Sequence, residues 1–549
     1  MFKAVLVSNV ISWIILIFIL GTQNYPRSIL ILNLLFNILL TSLIRLSIRV
    51  YYSYYHMESI HENPALRKTL LLVGAGKTGE KIAREILTTA RSEFRIAGFV
   101  DDDPNKEGAF IHGKKVLCKV SQIKNIQIDY DEVLITAPSA SGTQIREIID
   151  ACKNTGKKYR IVPGFNELID KNISLSKVRD LSYSDLLGRD EVKLDSISIG
   201  NILYSKRVLI TGAGGSIGSE LIKQCIKFEP SEIICLDQSE EKIFNLMEEA
   251  KSSNFKTVMK CVLATVNSKE ELNKVFLENR PHIVFHAAAY KHVPIQEKHP
   301  WTAVKTNIIG TLNMVTLSDK YNVDKFVFVS TDKAVNPVNI MGATKRVSEK
   351  LIQSYNKVSK TCFMAVRFGN VLGSSGSAVP IFQKQIKKGG PLTITHPEMT
   401  RYFMSIQEAS QLIIQCGALG NDGEIFLLKM GNPIRILNMA KDLIRLSGLE
   451  PENDIPIVFT GLRPGEKLYE ELHHREEKKV ATVHEKIMIL QKNNSLEPWS
   501  IFNDRLLQLV DAAETCNDDL IRSVLKLIVP NYENNQFNID KPFRVKAEA

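Results

Sequence analysis

A chain of 549 residues is too long for a single hydrophobic core, so several domains are expected. With 44% hydrophobic and 24% charged residues, the composition is that of folded protein and excludes a long disordered tract. The net charge of +10 comes without a basic patch interleaved with aromatic residues, which argues against a nucleic-acid partner. The eight cysteines show neither a C-x-x-C pair nor metal-ligand spacing, so we expect reduced cytoplasmic thiols and no metal site.

Two apolar runs near the N-terminus predict a transmembrane helical hairpin in residues 1–50. The runs cover residues 4–20 and 29–48, and each approaches the roughly 20 residues that a helix needs to cross a bilayer. Basic residues end the second run, at Arg45 and Arg49, so the positive-inside rule places the rest of the chain in the cytoplasm. We therefore expect a multi-pass protein of the cell inner membrane with the lipid bilayer as a partner. The alternative is a buried helical hairpin of a soluble protein.

Residues 66–170 show the pattern of a first Rossmann-like α/β domain. Between a predicted strand and a predicted helix lie the glycines of a G-x-G-x-x-G motif, Gly74, Gly76 and Gly79. Asp101 closes the next apolar run, and two further strand-like runs follow at residues 132–136 and 158–162. Two interpretations stay open: the glycines bind a nucleotide, or they serve only the tight turn and the packing of the helix.

A connector at residues 171–204 precedes a second, larger α/β domain at residues 205–475. Its first strand runs into T-G-x-x-G-x-x-G and then a helix, where missing side chains and free N–H groups allow a pyrophosphate to approach. The next strand ends at Asp237, whose carboxylate suits an adenosine ribose and repels a 2′-phosphate, so NAD is favoured over NADP. The predicted cofactor-binding residues are Gly212, Gly215, Ser216, Ile217, Gly218, Asp237, Lys345 and the small-residue patch Ala287, Ala288 and Ala289.

The segment from Phe326 to Lys345 is the predicted reaction site. A buried strand over 326–329 is followed at once by polar residues, and a helix then begins near Met341 and presents Lys345 one turn later. Strand, Ser/Thr, then aromatic-x-x-x-Lys is the order in short-chain dehydrogenase/reductase enzymes, with methionine here replacing the aromatic residue. Because a thioether exchanges no proton, Asp332 and Lys333 are the nearest candidates for proton transfer. The alternative is a solvated Asp-Lys turn pair beside a core methionine. The predicted catalytic residues are Thr331, Asp332, Lys333, Met341 and Lys345.

Beyond this segment the α/β rhythm breaks into shorter pieces, which predict a small C-terminal substrate lobe. Arginines there offer two-pronged donors for a diphosphate, although a surface salt bridge is the alternative for each. The predicted substrate-binding residues are Lys291, Asn370, Arg401, Arg463 and Glu466. Residues 476–549 contain no motif and are expected to form a loose C-terminal tail.

From about Leu70 to Leu472 the sequence resembles the membrane-bound nucleotide-sugar 4,6-dehydratases of capsule, O-antigen and glycan biosynthesis, an extended branch of the short-chain dehydrogenases. The motifs that carry the resemblance are LITGAGGSIGSE, VFHAAAYKHVP, VSTDKAVNPVNIMGATKR, AVRFGNVLGSSGS and TGLRPGEKLYEEL. The resemblance implies that a UDP-N-acetylhexosamine, usually UDP-N-acetylglucosamine, loses water across C5 and C6 and becomes a 4-keto-6-deoxy sugar. It also accounts for Met341, because the membrane-bound branch commonly carries methionine there.

The resemblance further implies a role for each residue. NAD takes a hydride from C4, Lys333 takes the C5 proton, Asp332 protonates the departing C6 hydroxyl, and the hydride returns to C6. Lys333 must then be neutral, which requires its pKa to be lowered by burial or by Lys345. Thr331 would hold the C4 oxygen and Lys345 the nicotinamide ribose. The acceptor of the C4 hydroxyl proton is left open, with Asp332 favoured. Retention at C5 and a homo-oligomer are expected.

Two other functions compete with dehydration. A C4 epimerase of the same fold would also use NAD, but it has no need of an acid-base pair at C5 and C6. A membrane-anchored NAD-binding regulator of glycan assembly would explain the missing tyrosine as lost catalysis. Loss of water from a UDP-hexosamine, a new C4 isomer, or no change distinguishes the three.

Overall fold

The structure is a computed structural model, and it describes residues 32–33, 35–37, 39–48, 67–89, 93–140, 142–153, 155–162, 179–180, 183, 192–252, 256–421, 423–491 and 497–533. The chain divides into two compact units. The first holds the described residues up to 119 together with 126–136, and the second holds 120–125, 137–162 and those from 179 onward.

The predicted membrane hairpin is covered only in part. The described positions within residues 32–48 are helical, and their large apolar side chains, such as Leu32 and Phe36, are exposed. Across the described part of the chain, no helix combines the length and the apolar character needed to cross a membrane. The first apolar run, residues 4–20, lies outside the described residues, so the hairpin stays a prediction.

The first unit is built on a mainly parallel sheet, as the strand-turn-helix pattern predicts. Its order is β3-β4-β2-β1-β5, in which only β3 is antiparallel to its neighbour. The bounds are β1 Lys68–Val73, α1 Lys77–Thr88, β2 Phe94–Val100, β3 Phe110–Ile111, β4 Lys114–Cys118 and β5 Glu132–Ile135. Gly74 has φ +111°, and a Cβ on Gly79 would lie 2.1 Å from the Gly74 carbonyl oxygen, so both positions need glycine.

The second unit carries a nine-stranded sheet of order β10-β9-β8-β11-β12-β13-β18-β22-β21. The first seven strands in this order are parallel, and the order reverses between β8 and β11, as in a Rossmann fold. The predicted Rossmann-like architecture is therefore confirmed. The strands of this sheet are β8 Arg207–Thr211, β9 Glu232–Asp237, β10 Val258–Leu263, β11 Ile283–His286, β12 Lys325–Val329, β13 Cys362–Arg367, β18 Ile425–Leu428, β21 Lys479–Ala481 and β22 Ile487–Leu490. The other strands of the second unit lie outside this sheet, namely β6 Lys158–Ile161, β7 Arg179–Asp180, β14 Asn370–Val371, β15 Leu392–Ile394, β16 Thr400–Arg401, β17 Phe403–Met404, β19 Ile434–Arg435 and β20 Ile457–Phe459.

Helices cover both faces of this sheet, because its parallel strands are apolar on both sides. A π-helical turn at Val304–Ile309 joins two of them, α8 and α9. The helix bounds are α2 Gly142–Lys153, α3 Ser196–Leu203, α4 Ser216–Ile226, α5 Glu240–Ser252, α6 Lys269–Asn279, α7 Val293–Lys298, α8 Pro300–Ala303, α9 Gly310–Lys320, α10 Ile340–Asn356, α11 Ala378–Lys387, α12 Ile406–Leu419, α13 Ile436–Leu446, α14 Trp499–Glu514 and α15 Asp518–Ile528.

The predicted connector at 171–204 contains an element of the second unit. Helix α3 begins after Asp195, whose carboxylate accepts the Ser198 N–H at 3.1 Å as an N-cap. Ile199 and Leu203, four positions apart on one face, are fully buried in the core beneath the sheet. The core of the second domain therefore begins before residue 205.

The prediction of a loose tail over 476–549 was wrong for the residues up to 533. Strands β21 and β22 extend the sheet in antiparallel fashion, and helices α14 and α15 pack on α10. The buried residues of α15 recur at helical spacing, namely Ile521, Val524, Leu525 and Ile528. This apolar stripe holds the segment on the protein. Residues 534–549 lie outside the described residues.

Candidate active site

The glycine-rich turn after β8 brings the backbone of two elements unusually close. Gly212 has φ +65°, and a Cβ there would lie 2.8 Å from the Ala288 nitrogen at the end of β11. A Cβ on Gly218 would lie 2.1 Å from the Gly212 carbonyl oxygen, so glycine also lets α4 pack on the turn. The free N–H groups at the start of α4 therefore face the edge where β8 and β11 end.

A cavity of about 540 Å³ opens at this edge, within the size range of small-molecule sites. Asp237 lies at one end, where its carboxylate accepts the N–H groups of Gly214 and Ser239, both at 3.0 Å. The absent side chains, the helix N-terminus and this carboxylate fit a dinucleotide. The predicted cofactor residues that line the cavity are Gly212, Gly215, Ser216, Ile217, Gly218, Asp237, Ala287, Ala288, Ala289 and Lys345.

The alanine segment after β11 is braced by Asn307 from the π-helical turn. The Asn307 side chain accepts the Tyr290 N–H at 2.9 Å and donates to the Tyr290 carbonyl at 3.1 Å. It also donates to the Thr344 hydroxyl at 3.0 Å, next to Lys345 on α10. One amide therefore fixes the distance between the predicted cofactor segment and the helix that carries Lys345.

At the other end, the cavity is lined by Ser330, Thr331 and Lys333, which follow β12, whereas Asp332 between them lies outside the lining. Asp332 is fully buried, and its Oδ1 accepts the Thr331 hydroxyl at 2.9 Å and the Lys333 ammonium at 3.0 Å. Its backbone N–H donates to the Phe368 carbonyl at 2.9 Å, which ties the turn to the end of β13. Within the described part of the chain, the buried Asp332 Oδ2 has no hydrogen-bond partner. A buried carboxylate oxygen without a donor is a candidate proton acceptor.

Lys333 lies among three oxygen groups and lines the cavity. Its Nζ is 3.0 Å from Asp332, 3.3 Å from the Asn370 side-chain oxygen and 3.7 Å from Glu470 Oε1. Burial by itself lowers the pKa of Lys333, but the carboxylates of Asp332 and Glu470 outweigh burial and raise it. The expectation of a lowered pKa was therefore wrong, because Glu470 adds a second counter-charge from a distant part of the chain.

Beneath this turn a buried ion pair joins β13 to α10. Arg367 donates to both oxygens of Glu349, at 2.8 and 3.0 Å, and the Ser330 hydroxyl donates to the same carboxylate at 2.7 Å. Burial alone would raise the pKa of Glu349, but Arg367 lowers it to about 2. The end of β12 is therefore anchored directly below the reactive turn.

Helix α10 presents Met341 and Lys345 to the cavity. It begins at Asn339, whose side-chain oxygen accepts the Gly342 N–H at 2.7 Å. Met341 is 3% exposed and lines the cavity, so a thioether faces the space between the cofactor residues and Lys333. Lys345 donates to the Val329 carbonyl at 2.9 Å, and burial lowers its pKa to about 7 against the opposing effect of Glu349.

The predicted substrate residues fall into two groups. Lys291 and Asn370 line the cavity. Arg401 is buried outside its lining, and its guanidinium donates to the carbonyls of Thr400, Lys467 and Leu468 at 2.7 to 3.1 Å. Glu466 lies 3.9 Å from this guanidinium and accepts the N–H of the exposed Arg463 at 3.2 Å. In this structure the Arg401 guanidinium therefore binds backbone carbonyls of a loop and is not free to donate two hydrogen bonds to a diphosphate.

Two parts of the site lie in motifs quoted from the sequence but were given no role there. One is Glu470, which lies in the quoted motif TGLRPGEKLYEEL but has no local pattern that marks it. The other is the Gly/Ser loop at 373–377, where the Ser375 N–H donates to the Ser216 hydroxyl at 3.2 Å and so covers the start of α4. The run of small polar residues after a strand was the available signal for this loop.

Comparison with known proteins places the chain in a family. Residues 208–492 match the family model described as polysaccharide biosynthesis protein, and residues 1–163 match one described as CoA-binding domain. The chain is 42% identical over 490 residues to the capsular polysaccharide biosynthesis protein CapD of Staphylococcus aureus, covering 88% of this chain and 81% of that protein.

The chain is similar to enzymes of two kinds. Over 271 residues the chain is 37% identical to a UDP-N-acetylglucosamine 4,6-dehydratase (inverting) of Campylobacter jejuni, covering 48% of this chain and 76% of that protein. Over 285 residues it is 35% identical to a UDP-glucose 4-epimerase of Rickettsia massiliae, covering 50% and 80%. The X-ray structure of Pen from Bacillus thuringiensis matches with a TM-score of 0.50 and 34% identity, covering 53% of this chain and 89% of that one.

The family model over residues 208–492 covers the reaction site, and the capsular relative is matched over most of its length. The chain therefore belongs to the polysaccharide biosynthesis protein family.

Proposed function

We propose that the chain removes water from a UDP-N-acetylhexosamine, with UDP-N-acetylglucosamine as the first candidate, and forms the 4-keto-6-deoxy sugar. The observation that carries this proposal is the contact between Asp332 and Lys333, 3.0 Å apart beside the cavity, with Met341 where a proton-carrying tyrosine would stand. Dehydration needs an acid and a base at neighbouring carbons, and this pair supplies both. The similarity to a UDP-N-acetylglucosamine 4,6-dehydratase and to a capsular polysaccharide protein supports the substrate class and the pathway.

NAD is the cofactor that the cavity suits. When bound, NAD accepts a hydride from the sugar and returns it within one turnover, so it ends unchanged. The start of α4 would hold the pyrophosphate, and Asp237 the adenosine ribose. Lys345, already at the edge of the cavity, would hold the nicotinamide ribose.

The chain's own residues account for the movement of protons. Asp332 accepts the C4 hydroxyl proton on its unpartnered Oδ2 and becomes a neutral acid, while Thr331 holds the C4 oxygen. Neutral Asp332 no longer stabilises the Lys333 ammonium, whose proton can leave to solvent through the cavity. The resulting amine takes the C5 proton, and Asp332 gives its proton to the C6 hydroxyl, which departs as water. Lys333 then returns a proton to C5, and the amine regains one from solvent.

Because Lys333 is the only base at C5 in these steps, the proposed mechanism predicts the configuration of the product at C5. If Lys333 both removes and returns the C5 proton, it acts on one face of the sugar and the configuration at C5 is retained. The Campylobacter relative is described as inverting, so the outcome at C5 need not be shared within the family. A product inverted at C5 would require a second proton donor on the opposite face.

A C4 epimerase is the second candidate, and the identity to a UDP-glucose 4-epimerase favours it. An epimerase requires proton transfer at the C4 oxygen alone, so the buried Asp332–Lys333 pair beside the sugar site would have no partner at C5 and C6. We rank dehydration first for that reason.

The apolar runs at the N-terminus support a membrane location. We propose an inner-membrane, multi-pass protein with both α/β units on the cytoplasmic side, acting as a homo-oligomer in surface polysaccharide synthesis. Protease treatment of sealed, inside-out vesicles should then cleave the α/β units, whereas protection of those units would contradict the proposed orientation.

The test of function is a mass measurement on the purified full chain with NAD. Incubation with UDP-N-acetylglucosamine, UDP-N-acetylgalactosamine and UDP-glucose should give loss of one water from an N-acetylated substrate. A new C4 isomer of unchanged mass would establish epimerisation, and no change with any UDP-hexose would favour a regulator without catalysis.

A further inference from the structure

Glu470 is a buried carboxylate that the proposed proton transfers do not use. Its Oε1 lies 3.7 Å from the Lys333 Nζ and 3.7 Å from the Arg401 Nε, so one oxygen faces two cations. Its Oε2 is buried and has no hydrogen-bond partner within the described part of the chain. Such a group is costly to bury, and its place beside Lys333 calls for a role.

The segment that carries Glu470 is fixed on two sides of the reaction site. Arg401 holds the carbonyls of Lys467 and Leu468, as described above. The Asn339 side chain, which also caps α10, donates to the Gly465 carbonyl at 2.9 Å. The position of Glu470 is therefore set by contacts that do not involve its own carboxylate.

The proposed reaction makes a second counter-charge necessary. Asp332 gains a proton during oxidation at C4, and a neutral carboxyl group no longer attracts Lys333. Lys333 must nevertheless stay at the sugar to take and return the C5 proton. Once Lys333 has taken the C5 proton it is an ammonium again, while Asp332 stays neutral until it protonates the C6 hydroxyl. Among the described residues, the charged groups that face Lys333 are Asp332, Glu470 and Arg401, and of these only Glu470 can attract the ammonium during that interval.

We propose that Glu470 is a positioning residue: it is the fixed counter-charge that holds Lys333 at the cavity while Asp332 gains and loses its proton. This inference rests on the proposed dehydration. Arg401 pairs with the same oxygen, so the Glu470 carboxylate contacts both a structural cation and a reacting one. Asp332 then exchanges protons with the sugar, whereas Glu470 supplies the carboxylate that faces Lys333.

The test compares Glu470→Gln with a matched control, Glu471→Gln. Glu471 is the adjacent residue, and its carboxylate contacts Asn336 at 2.9 Å and Lys467 at 3.6 Å instead of Lys333. The readout is trace acetylation of the full-length protein by acetic anhydride over a series of pH values, with the Lys333 peptide quantified by mass spectrometry. The method reports the protonation of one amine without any need for turnover.

In Glu470→Gln, Lys333 should become reactive at a lower pH than in the unmodified protein, because one of its two counter-charges is gone. Dehydration by this variant should lose kcat with little change in KM, and the content of bound NAD should stay the same. In Glu471→Gln the labelling profile and kcat should match the unmodified protein.

An unchanged Lys333 profile in Glu470→Gln, or an equal shift in Glu471→Gln, would overturn the inference. If Glu470→Gln does not fold, Glu470→Asp takes its place; the shorter side chain should shift the profile in the same direction by less, and no shift would overturn the inference. Absence of dehydration by the unmodified protein would refute the proposed function instead, and the labelling result would still decide whether Glu470 sets the charge of Lys333.

Discussion

The chain contains two glycine-rich turns with the same local geometry and different surroundings. In each turn a Cβ on the last glycine, Gly79 or Gly218, would lie 2.1 Å from the carbonyl oxygen of the first, Gly74 or Gly212. In each unit an acidic residue, Asp101 or Asp237, stands at the end of the second strand of the sheet, counted along the chain. The glycine spacing therefore specifies a strand, a tight turn and a closely packed helix in both units.

The difference lies in what faces each turn. In the first unit Asp101 pairs with Lys106 at 3.1 Å, and the Thr136 hydroxyl donates to the Gly74 carbonyl at 2.8 Å. In the second unit Asp237 has no lysine or arginine within 4.0 Å among the described residues, and the turn opens on the cavity beside Ala287–Ala289. The glycine motif thus builds the fold, while the groups at neighbouring strand ends make a reaction site.

The sharpest difference between the units is the presence of a reactive lysine in the second. Lys333→Ala should lower dehydration by about 10³-fold or more, because it removes the base, while bound NAD is retained. The matched change in the first unit, Lys106→Ala, should leave turnover unchanged. Steady-state kinetics and the NAD content of both variants check this, and near-normal turnover of Lys333→Ala would remove Lys333 from the mechanism.

The two glycines that precede α1 and α4 provide a second comparison. Gly215→Val should reduce bound NAD by about tenfold or more, because its side chain would enter the cavity and its Cβ would lie 3.1 Å from the Gly212 oxygen. Gly76→Val makes the same change where no atom lies within 4 Å of the new Cβ, so NAD content should not change. Equal loss of NAD in both variants would mean that the first turn also supports cofactor binding.

Asp237 and Asp101, the acidic residues at the ends of the second strands, allow a third comparison with a smaller expected effect. Asp237→Asn should reduce the preference for NAD over NADP severalfold, because the repulsion of a 2′-phosphate is lost. Asp101→Asn should leave the preference as it is. Titration of each variant with both cofactors measures the ratio, and an unchanged ratio in Asp237→Asn would place ribose recognition elsewhere.

How much of this could be predicted from sequence depends on how local the information is. The end of the strand over 326–329 and the start of a helix near Met341 were predicted, since strand, turn and helix signals lie within a few residues of each other. The raised pKa of Lys333 was not, because the second of the two carboxylates that raise it, Glu470 beside Asp332, comes from a separate segment held by Arg401. Pairings of this kind follow from the whole fold and leave no periodic signal.

The C-terminal helices also show that a local sequence signal is incomplete without its tertiary partner. The apolar stripe of α15 is present in the sequence at helical spacing, but the surface that it covers is formed by α14, α10 and α8. Without that surface, a charged segment that lacks motifs resembles a tail. Spacing indicates a helix, and only the partner shows why the helix is stable.

The smallest effect is expected at Met341. Met341→Leu should change turnover by no more than a few-fold, because the two side chains have similar volume and neither exchanges a proton. Initial rates with the N-acetylated substrate measure this. A loss of a hundredfold or more would show that the sulfur has a chemical role.

The central claim is that Lys333 removes and returns a proton at C5 while Asp332 protonates the departing C6 hydroxyl, and solvent exchange tests it most directly. Turnover of UDP-N-acetylglucosamine in deuterium oxide should give a product that has lost one water and carries one solvent deuterium bound to C5. The Lys333→Ala variant should give neither change. A product of unchanged mass with no deuterium on carbon would contradict the account.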